Sequence, residues 1–206
     1  MTSSHGQPPS AAADWDALYA DRPSIWSGEP NAQLVAEAAG LSPGTALDVG
    51  CGEGADAVWL ARRGWDVTAV DISSVALERA RTHAATAGCE IAFVLADLVA
   101  APPRQEAYDL VSAQFFQLTD PPRGDAMRGL GAAVRPSGHL LVVGHDPVGH
   151  AGGGHPERLF TTDEIVGLFS SVDWQVETAE TRERTALHHG ELTDLVDGVV
   201  LLRRTR

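Results

Sequence analysis

A glycine-rich loop between two apolar segments is the sequence feature that most restricts the fold. Residues 46–60 read ALDVGCGEGADAVWL, and three of the five residues from 50 to 54 are glycine. The residues before the loop form a short apolar run typical of a buried strand, and residues 55–64 have helical periodicity that ends at Gly64. A strand, a tight glycine turn and a helix in this order form the ligand-binding corner of many parallel sheets, where backbone comes close to the ligand.

Strand-like and helix-like segments alternate along the rest of the chain. Strands separated by helices pair in parallel, so the pattern predicts an α/β fold with a Rossmann-like doubly wound sheet. The last two strand-like segments have no helix between them, which predicts an antiparallel pair at the sheet edge. The expected sheet has seven strands and is mostly parallel with an antiparallel last strand. The strands are expected at 45–50, 66–71, 90–97, 108–115, 138–146, 174–184 and 194–204, and the helices at 55–64, 74–88, 121–134 and from 161 onward.

The length of the chain suits one hydrophobic core. With 206 residues, two independent domains are not expected. The N-terminus is rich in Ser, Ala, Pro and Gly, a composition that favours disorder, and a helix is expected over about residues 31–39, ending at Gly40. The expected parts are a disordered tail at 1–12 and a single domain at 13–206, made of an N-terminal helical cap (13–40) and a core (41–206).

The charge of the chain bears on its partners. A net charge of −13 argues against nucleic acid, because few cations are present to displace counterions from a phosphate backbone. The N-terminus lacks the basic start and apolar run of a signal peptide, and no apolar stretch reaches membrane-span length. The two cysteines cannot form a disulfide framework and are expected to be free thiols. We therefore expect a cytoplasmic protein with small-molecule partners and no membrane contact, either monomer or homodimer.

Phosphate is a poor ligand for the glycine loop. A Walker-type loop needs lysine and then serine or threonine after its last glycine. Here Ala55 and Asp56 follow Gly54. Two carboxylates in the same segment would repel a phosphate, so the sequence disfavours a nucleoside triphosphate.

A dinucleotide is the second option for the loop. Residues 50–55 satisfy the relaxed pattern G-x-G-x-x-G/A, and Asp71 ends the next strand at the spacing of a ribose-binding acid. Against it, Asp48 precedes the loop and Glu53 lies where a pyrophosphate would bind. A ligand with a ribose and an ammonium group but no phosphate matches these charges better.

Residues 47–73, LDVGCGEGADAVWLARRGWDVTAVDIS, resemble motifs I and II of the class I S-adenosylmethionine-dependent methyltransferases. That family carries D/E-x-G-x-G-x-G after its first strand, which DVGCGEG at 48–54 matches in full. LADL at 95–98, YDLVSAQ at 108–114 and VRPSGHLLV at 134–142 resemble later landmarks of the family. The resemblance implies S-adenosylmethionine as the cofactor.

The resemblance also implies which residues bind the cofactor. Asp48, Gly50 and Gly52 would approach the methionine moiety, the glycines because a side chain would block it. Asp71 would accept both ribose hydroxyls, and Ile72 would pack on the adenine. An alternative for Asp71 is that it caps the following helix.

The ends of the third and fourth strands supply the remaining cofactor residues that the resemblance implies. Asp97 would accept from the adenine amino group, Leu98 would donate its backbone N–H, and Gln114 would lie near the methionine end. Asp97 could instead close a local turn, and Gln114 with Phe115 could end a buried strand.

Residues 26–38, WSGEPNAQLVAEA, resemble a segment of the small bacterial methyltransferases grouped with tellurite-resistance and thiol-methylating enzymes (methyltransferase type 11/12-like). In that subgroup the segment folds over the cofactor, so Trp26 would cover the methyl donor or, alternatively, cap the sheet edge. An Arg or His on the penultimate strand faces the substrate there. Arg182 and Arg184 lie on one face of that strand by period two; the alternative is an exposed face paired with glutamates.

The acceptor side is less specified by the sequence. A thiolate or chalcogenide needs no general base, whereas an amine or hydroxyl needs one, and His145 is the best-placed candidate, with Phe115 a second substrate contact. The histidines of the glycine-rich loop 145–156 match no metal-ligand spacing, so no metal is expected. This loop could form a flap over the substrate.

The sequence thus predicts an S-adenosylmethionine-dependent methyltransferase acting on a small-molecule acceptor, such as a thiol or chalcogen species. The alternatives are a NAD-dependent oxidoreductase and a non-catalytic methyltransferase-like binding module. No catalytic residue is assigned.

Overall fold

The protein is described by a computed structural model over residues 11–116, 118–119, 122–149, 156–188 and 191–206. For residues 149, 186–188 and 191–193 only the backbone is described. Most of the tail expected at 1–12, and residues 150–155 of the expected flap, lie outside the described residues.

The described elements follow the predicted order. Helices are α1 (Ala12–Ala20), α2 (Ala32–Ala38), α3 (Ala55–Arg62), α4 (Ser74–Ala87), α5 (Pro122–Ala133) and α6 (Thr162–Val166). Strands are β1 (Thr45–Val49), β2 (Asp66–Asp71), β3 (Ala92–Leu95), β4 (Tyr108–Gln114), β5 (Val134–His145), β6 (Trp174–His188) and β7 (Glu191–Arg204).

The strands form one seven-stranded sheet in the order β3-β2-β1-β4-β5-β7-β6. Strands β1 to β5 pair in parallel, and β7 lies antiparallel between β5 and β6. This arrangement confirms the predicted Rossmann-like fold. Strand order reverses between β1 and β4, so their carboxyl ends border the crevice in which doubly wound sheets bind ligands.

Both faces of the sheet are covered, which explains the continuous apolar runs of the central strands. On β5, Leu140 and Val142 pack into one core layer with Met127 of α5, whereas Leu141 and Val143 pack into the opposite layer. The period-two alternation of side chains across a strand thus divides one apolar segment between two layers.

Most helices and strands end where the capping and turn residues of the sequence predict. Ser73 caps α4 by accepting from the Ala76 N–H at 3.1 Å, and Gly88 ends it at φ 67°. Helix α2 differs from expectation, because its C-cap is Ala39 in a right-handed conformation and Gly40 has no left-handed φ. The closing hairpin is longer than predicted, because β6 and β7 stay paired up to His188 and Glu191.

Gly144 on β5 is expected to be intolerant of a side chain. A Cβ at this position would lie 2.4 Å from Cε1 of Phe160, a ring that is itself buried. We expect Gly144→Ala to lower the free energy of unfolding by about 1–3 kcal/mol through overpacking. Gly40→Ala is the matched control, since a Cβ there meets nothing within 4 Å. Urea unfolding of both variants tests this, and equal stabilities would contradict it.

Candidate functional site

The glycine loop lies at the carboxyl end of β1 and is held against β2. The Cys51 N–H donates to the Val70 carbonyl at 3.0 Å, and the Gly52 N–H donates to Asp71 Oδ2 at 2.8 Å. Gly54 has φ 83°, and a Cβ there would lie 2.9 Å from the Cβ of Ala80 on α4. Glycine is therefore required at position 54 both by backbone conformation and by the close approach of α4.

Asp71 lies where a ribose acceptor is expected, at the end of β2 beside the loop. Its other carboxylate oxygen, Oδ1, accepts from the Ser73 N–H at 2.8 Å. Burial raises the pKa of Asp71, while these backbone N–H groups lower it. The helix cap on α4 is Ser73, so Asp71 is not needed for capping. A carboxylate oxygen can accept a second hydrogen bond, so both oxygens retain capacity for hydroxyl donors.

Two buried acceptors near the β1–β4 crevice have no partner in the described part of the chain. They are Asp48 Oδ2 and Gln114 Oε1, on side chains with exposed fractions of 2% and 9%. Asp48 pairs in register with Ser112 of β4, whose hydroxyl accepts from Gln114 Nε2 at 3.0 Å. Buried acceptors without partners are costly and uncommon, so this pair indicates a missing donor.

Carboxylates crowd the base of the loop. Burial raises the pKa of Asp48 well above its ordinary value, and the charges of Asp56 and Asp71 raise it further. Burial also raises the pKa of Asp56 to about 6, although its Oδ1 accepts from the Asn31 N–H at 2.6 Å. A cation bound here would relieve this repulsion.

The raised pKa of Asp56 predicts how stability depends on pH. Its pKa is about 6 in the folded protein against 3.8 for an aspartate in water, so ionising Asp56 opposes folding as pH rises between these values. Asparagine keeps the acceptor for Asn31 and removes the charge. Relative to wild type, Asp56→Asn should gain nothing near pH 4 and about 1–2 kcal/mol above pH 7. Unfolding at both pH values measures this gain, and a pH-independent difference would contradict it.

A segment after α1 covers the loop. The Trp26 indole N–H donates to the Tyr19 hydroxyl at 3.1 Å, and a Cβ at Gly52 would lie 3.0 Å from that hydroxyl. Glu53 accepts from the Trp26 N–H at 3.0 Å and pairs with Arg79 of α4 at 2.8 Å. Trp26 thus lies over the loop and is half exposed. The Glu53 carboxylate stabilises this covering segment through its hydrogen bond to Trp26.

The end of β3 supplies the other expected cofactor residues. Asp97 is exposed, and its Oδ1 accepts from the Val99 N–H at 2.9 Å, which closes a local turn. Leu98 is buried in the core. Ile72 is partly exposed beside Asp71 and is available to contact a ligand. This turn agrees with the alternative interpretation of Asp97, but the second carboxylate oxygen of Asp97 accepts no hydrogen bond from the described residues.

Three of the four expected acceptor residues lie together beyond β4 and β5. The Phe115 ring centroid is 4.6 Å from that of His145, and Arg184 Cζ is 5.4 Å from the Phe115 ring. Phe115 has φ 51°, a left-handed backbone that costs a non-glycine residue free energy. Its neighbour Phe116 packs on the glycine loop, where a Cβ at Gly50 would lie 3.3 Å from its ring.

Arg182 is used differently from Arg184. All three of its nitrogens donate within the fold, to Glu180, Gln33 and Glu37, at 2.7, 2.9 and 2.6 Å. The bonds to Gln33 and Glu37 connect β6 to α2. Within the described part of the chain, Arg184 donates only from its Nε, to Asp197. Of the two arginines, Arg184 therefore has donors to offer a substrate.

Sequence reasoning missed two acidic side chains near the site. Asp16 of α1 accepts from the Ser73 hydroxyl at 2.6 Å and fixes α1 to the start of α4. Asp197 is fully buried on β7 and contacts both His145 and Arg184. A charged residue within the apolar run of residues 195–202 was the available signal for Asp197.

These residues fit S-adenosylmethionine. The ammonium group of the cofactor carries N–H donors for the buried acceptors of Asp48 and Gln114. The cofactor also carries a ribose diol, for which Asp71 is a carboxylate partner. Among the described residues, no three His, Cys, Asp or Glu side chains are arranged to hold a metal ion, and no helix has the length and apolar character of a membrane span.

Known proteins resemble the chain in the same region. Residues 46–138 match a family model described as a methyltransferase domain. Methyltransferase GfsG of Streptomyces halstedii is 34% identical over 125 residues, covering 59% of this chain and 45% of GfsG. The chain spans less than half the length of the curated relatives that it matches.

Two solved structures share the whole fold. One, from work on the conversion of a disulfide bond into a thioacetal group during echinomycin biosynthesis, has a TM-score of 0.78 at 25% identity, over 94% of this chain and 92% of that protein. TehB from Haemophilus influenzae has a TM-score of 0.71 at 21% identity, over 92% of this chain and 66% of that protein.

Proposed function

We propose that this chain, which belongs to the class I S-adenosylmethionine-dependent methyltransferases, transfers the cofactor's methyl group to the sulfur of a small-molecule thiol. The observation that carries the methyl-transfer proposal is a pair of buried acceptors beside the glycine loop, Asp48 Oδ2 and Gln114 Oε1, which have no hydrogen-bond partner among the described residues. A cationic, phosphate-free cofactor supplies the donors that they lack.

The residues of the site divide between the two ends of this cofactor. Asp48, Gln114 and the loop glycines would hold the methionine moiety, and Asp71 would accept the ribose hydroxyls. The other predicted contacts are Ile72, Asp97 and Leu98 to the adenine and Trp26 over the donor. When bound, the cofactor supplies an electrophilic methyl group on a sulfonium.

A thiol acceptor is supported by the surroundings of Phe115 and by one comparison. The Phe115 ring, His145 and the guanidinium of Arg184 gather beyond β4, where an acceptor could meet the methyl group. The similar protein from echinomycin biosynthesis is described in connection with sulfur chemistry. A polarisable sulfur nucleophile needs little activation beyond alignment and removal of a proton.

Incubation with S-adenosylmethionine carrying a labelled methyl group tests the proposal. The expected result with a panel of small thiols is a labelled thioether and one equivalent of S-adenosylhomocysteine, detected by mass spectrometry. At a cofactor concentration below the wild-type Kd, Asp71→Ala should form both products far more slowly. Cofactor binding without transfer to any acceptor would favour the non-catalytic binding module.

A further inference from the structure

Asp197 joins the two polar side chains of the acceptor region. Its Oδ1 lies 3.3 Å from His145 Nδ1, and its Oδ2 accepts from Arg184 Nε. The carboxylate is fully buried, while the side chains of His145 and Arg184 are 24% and 30% exposed. Three neighbouring strands supply the group, since β7 lies between β5 and β6.

We propose that Asp197 is a positioning residue of the acceptor site, and that it prepares the site for a thiol that also carries a carboxylate. This inference rests on the methyltransferase function proposed above. Asp197 acts through His145, which takes the proton of the thiol, and through Arg184, which binds the carboxylate of the same acceptor.

The contact with Asp197 determines the tautomer of His145. An ionised carboxylate only accepts hydrogen bonds, so the neutral ring places its proton on Nδ1 and keeps its lone pair on Nε2. The thiol gives its proton to His145 Nε2, and its sulfur uses an electron pair to form a bond with the methyl carbon. The carbon–sulfonium bond breaks, and its electron pair remains on the cofactor sulfur, which becomes a neutral thioether.

The contact with Asp197 also determines which donors Arg184 offers. Its Nε is committed to Asp197, and its Nη1 and Nη2 donate to no acceptor in the described ranges. Two parallel Nη donors match the two oxygens of a carboxylate. Arg182, on the same strand face, has all its nitrogens occupied and offers no such pair. The Phe115 ring beside the Arg184 guanidinium gives the subsite an apolar wall.

Replacing Asp197 by asparagine is expected to change how His145 is positioned without affecting cofactor binding. The amide introduced at position 197 has one oxygen, whereas both Arg184 Nε and His145 Nδ1 donate to the wild-type carboxylate. The charged Arg184 guanidinium competes better for this oxygen than the neutral imidazole ring. The amide NH2 then faces His145 and requires a lone pair on Nδ1, which moves the ring proton to Nε2. Asp197→Asn should therefore reverse the tautomer while S-adenosylhomocysteine still binds.

The first test is the nitrogen NMR spectrum of His145 in the S-adenosylhomocysteine complex at pH 8, assigned with His145→Gln. The expected result is the Nδ1–H tautomer in wild type and the Nε2–H tautomer in Asp197→Asn. An Nε2–H tautomer in wild type would overturn the proposal, and this measurement holds even if Asp197→Asn does not fold.

The second test uses benzoate as a carboxylate probe, titrated into the same complex. We expect saturable binding by wild type, at least tenfold weaker binding by Arg184→Gln, and unchanged binding by Arg182→Gln. Equal loss in both arginine variants, or no binding by wild type, would overturn the carboxylate subsite. Failure of wild type to bind S-adenosylhomocysteine would instead overturn the function on which the inference rests.

Discussion

Replacing Asp71 by alanine is expected to raise the Kd for S-adenosylmethionine at least about 30-fold, which corresponds to about 2 kcal/mol. The carboxylate would accept both ribose hydroxyls, and hydrogen bonds to a charged group contribute more than neutral ones. Its Oδ2 also holds the Gly52 N–H at 2.8 Å, so its removal loosens the loop.

Asp66→Ala is the matched control for Asp71→Ala. Asp66 lies at the opposite end of the same strand and is exposed. Its removal changes the net charge equally but should leave the Kd unchanged. Calorimetric titration of both variants provides the comparison, and equal affinities in the two would contradict the ribose contact.

Asp48→Asn is expected to stabilise the protein and to weaken cofactor binding. Burial, together with the charges of Asp56 and Asp71, raises the pKa of Asp48 well above its usual value. Ionisation of this group therefore opposes folding increasingly as pH rises from the usual carboxyl range. An uncharged asparagine of similar size should increase the unfolding free energy by about 1–2 kcal/mol at neutral pH, or several degrees in Tm.

The same substitution removes the charge that faces the ammonium group of the cofactor. Loss of such a charged hydrogen bond should raise the Kd for S-adenosylmethionine about 10–100-fold. Methylthioadenosine, which lacks the amino-acid part, is the internal control: its Kd should not change in Asp48→Asn but should rise in Asp71→Ala. If both ligands lose affinity equally in Asp48→Asn, Asp48 does not contact the amino-acid end.

The fold could be predicted because its signals are local. Alternating periodicities defined β1 to β5 and the helices between them, and glycines and capping residues such as Ser73 and Gly88 marked their ends. The antiparallel edge followed from two strand-like segments with no helix between them. The ends of the strands were less predictable. The lengths of β3, at the sheet edge, and of the β6–β7 hairpin depend on which strands they pair with.

Only the part of the candidate site that lies within a single sequence motif could be predicted. The glycine loop and Asp71 lie within residues 48–71, so their spacing carried the signal. Asp197 escaped notice because its partners are 52 and 13 residues away along the chain. Arg182 and Arg184 share a strand face, yet only tertiary packing against α2 determines that Arg182 is occupied.

The sequence also does not show that the charge of Glu53, within the glycine loop, is neutralised by a cationic partner. From the sequence, Glu53 is expected beside the ligand, whereas in the structure it accepts from the Trp26 N–H and pairs with Arg79. The acidic character of the site comes instead from Asp48, Asp56 and Asp71. Sequence spacing could not distinguish these acids, because which of them gains a cationic partner depends on α4.

Calorimetric titration of the wild-type protein with S-adenosylmethionine, S-adenosylhomocysteine and NAD shows which cofactor the glycine loop binds. We expect micromolar binding of the first two at one site per chain and no binding of NAD, because the carboxylates of Asp48, Asp56 and Asp71 beside the loop would repel a pyrophosphate. Binding of NAD without S-adenosylmethionine, or binding of neither, would contradict this expectation.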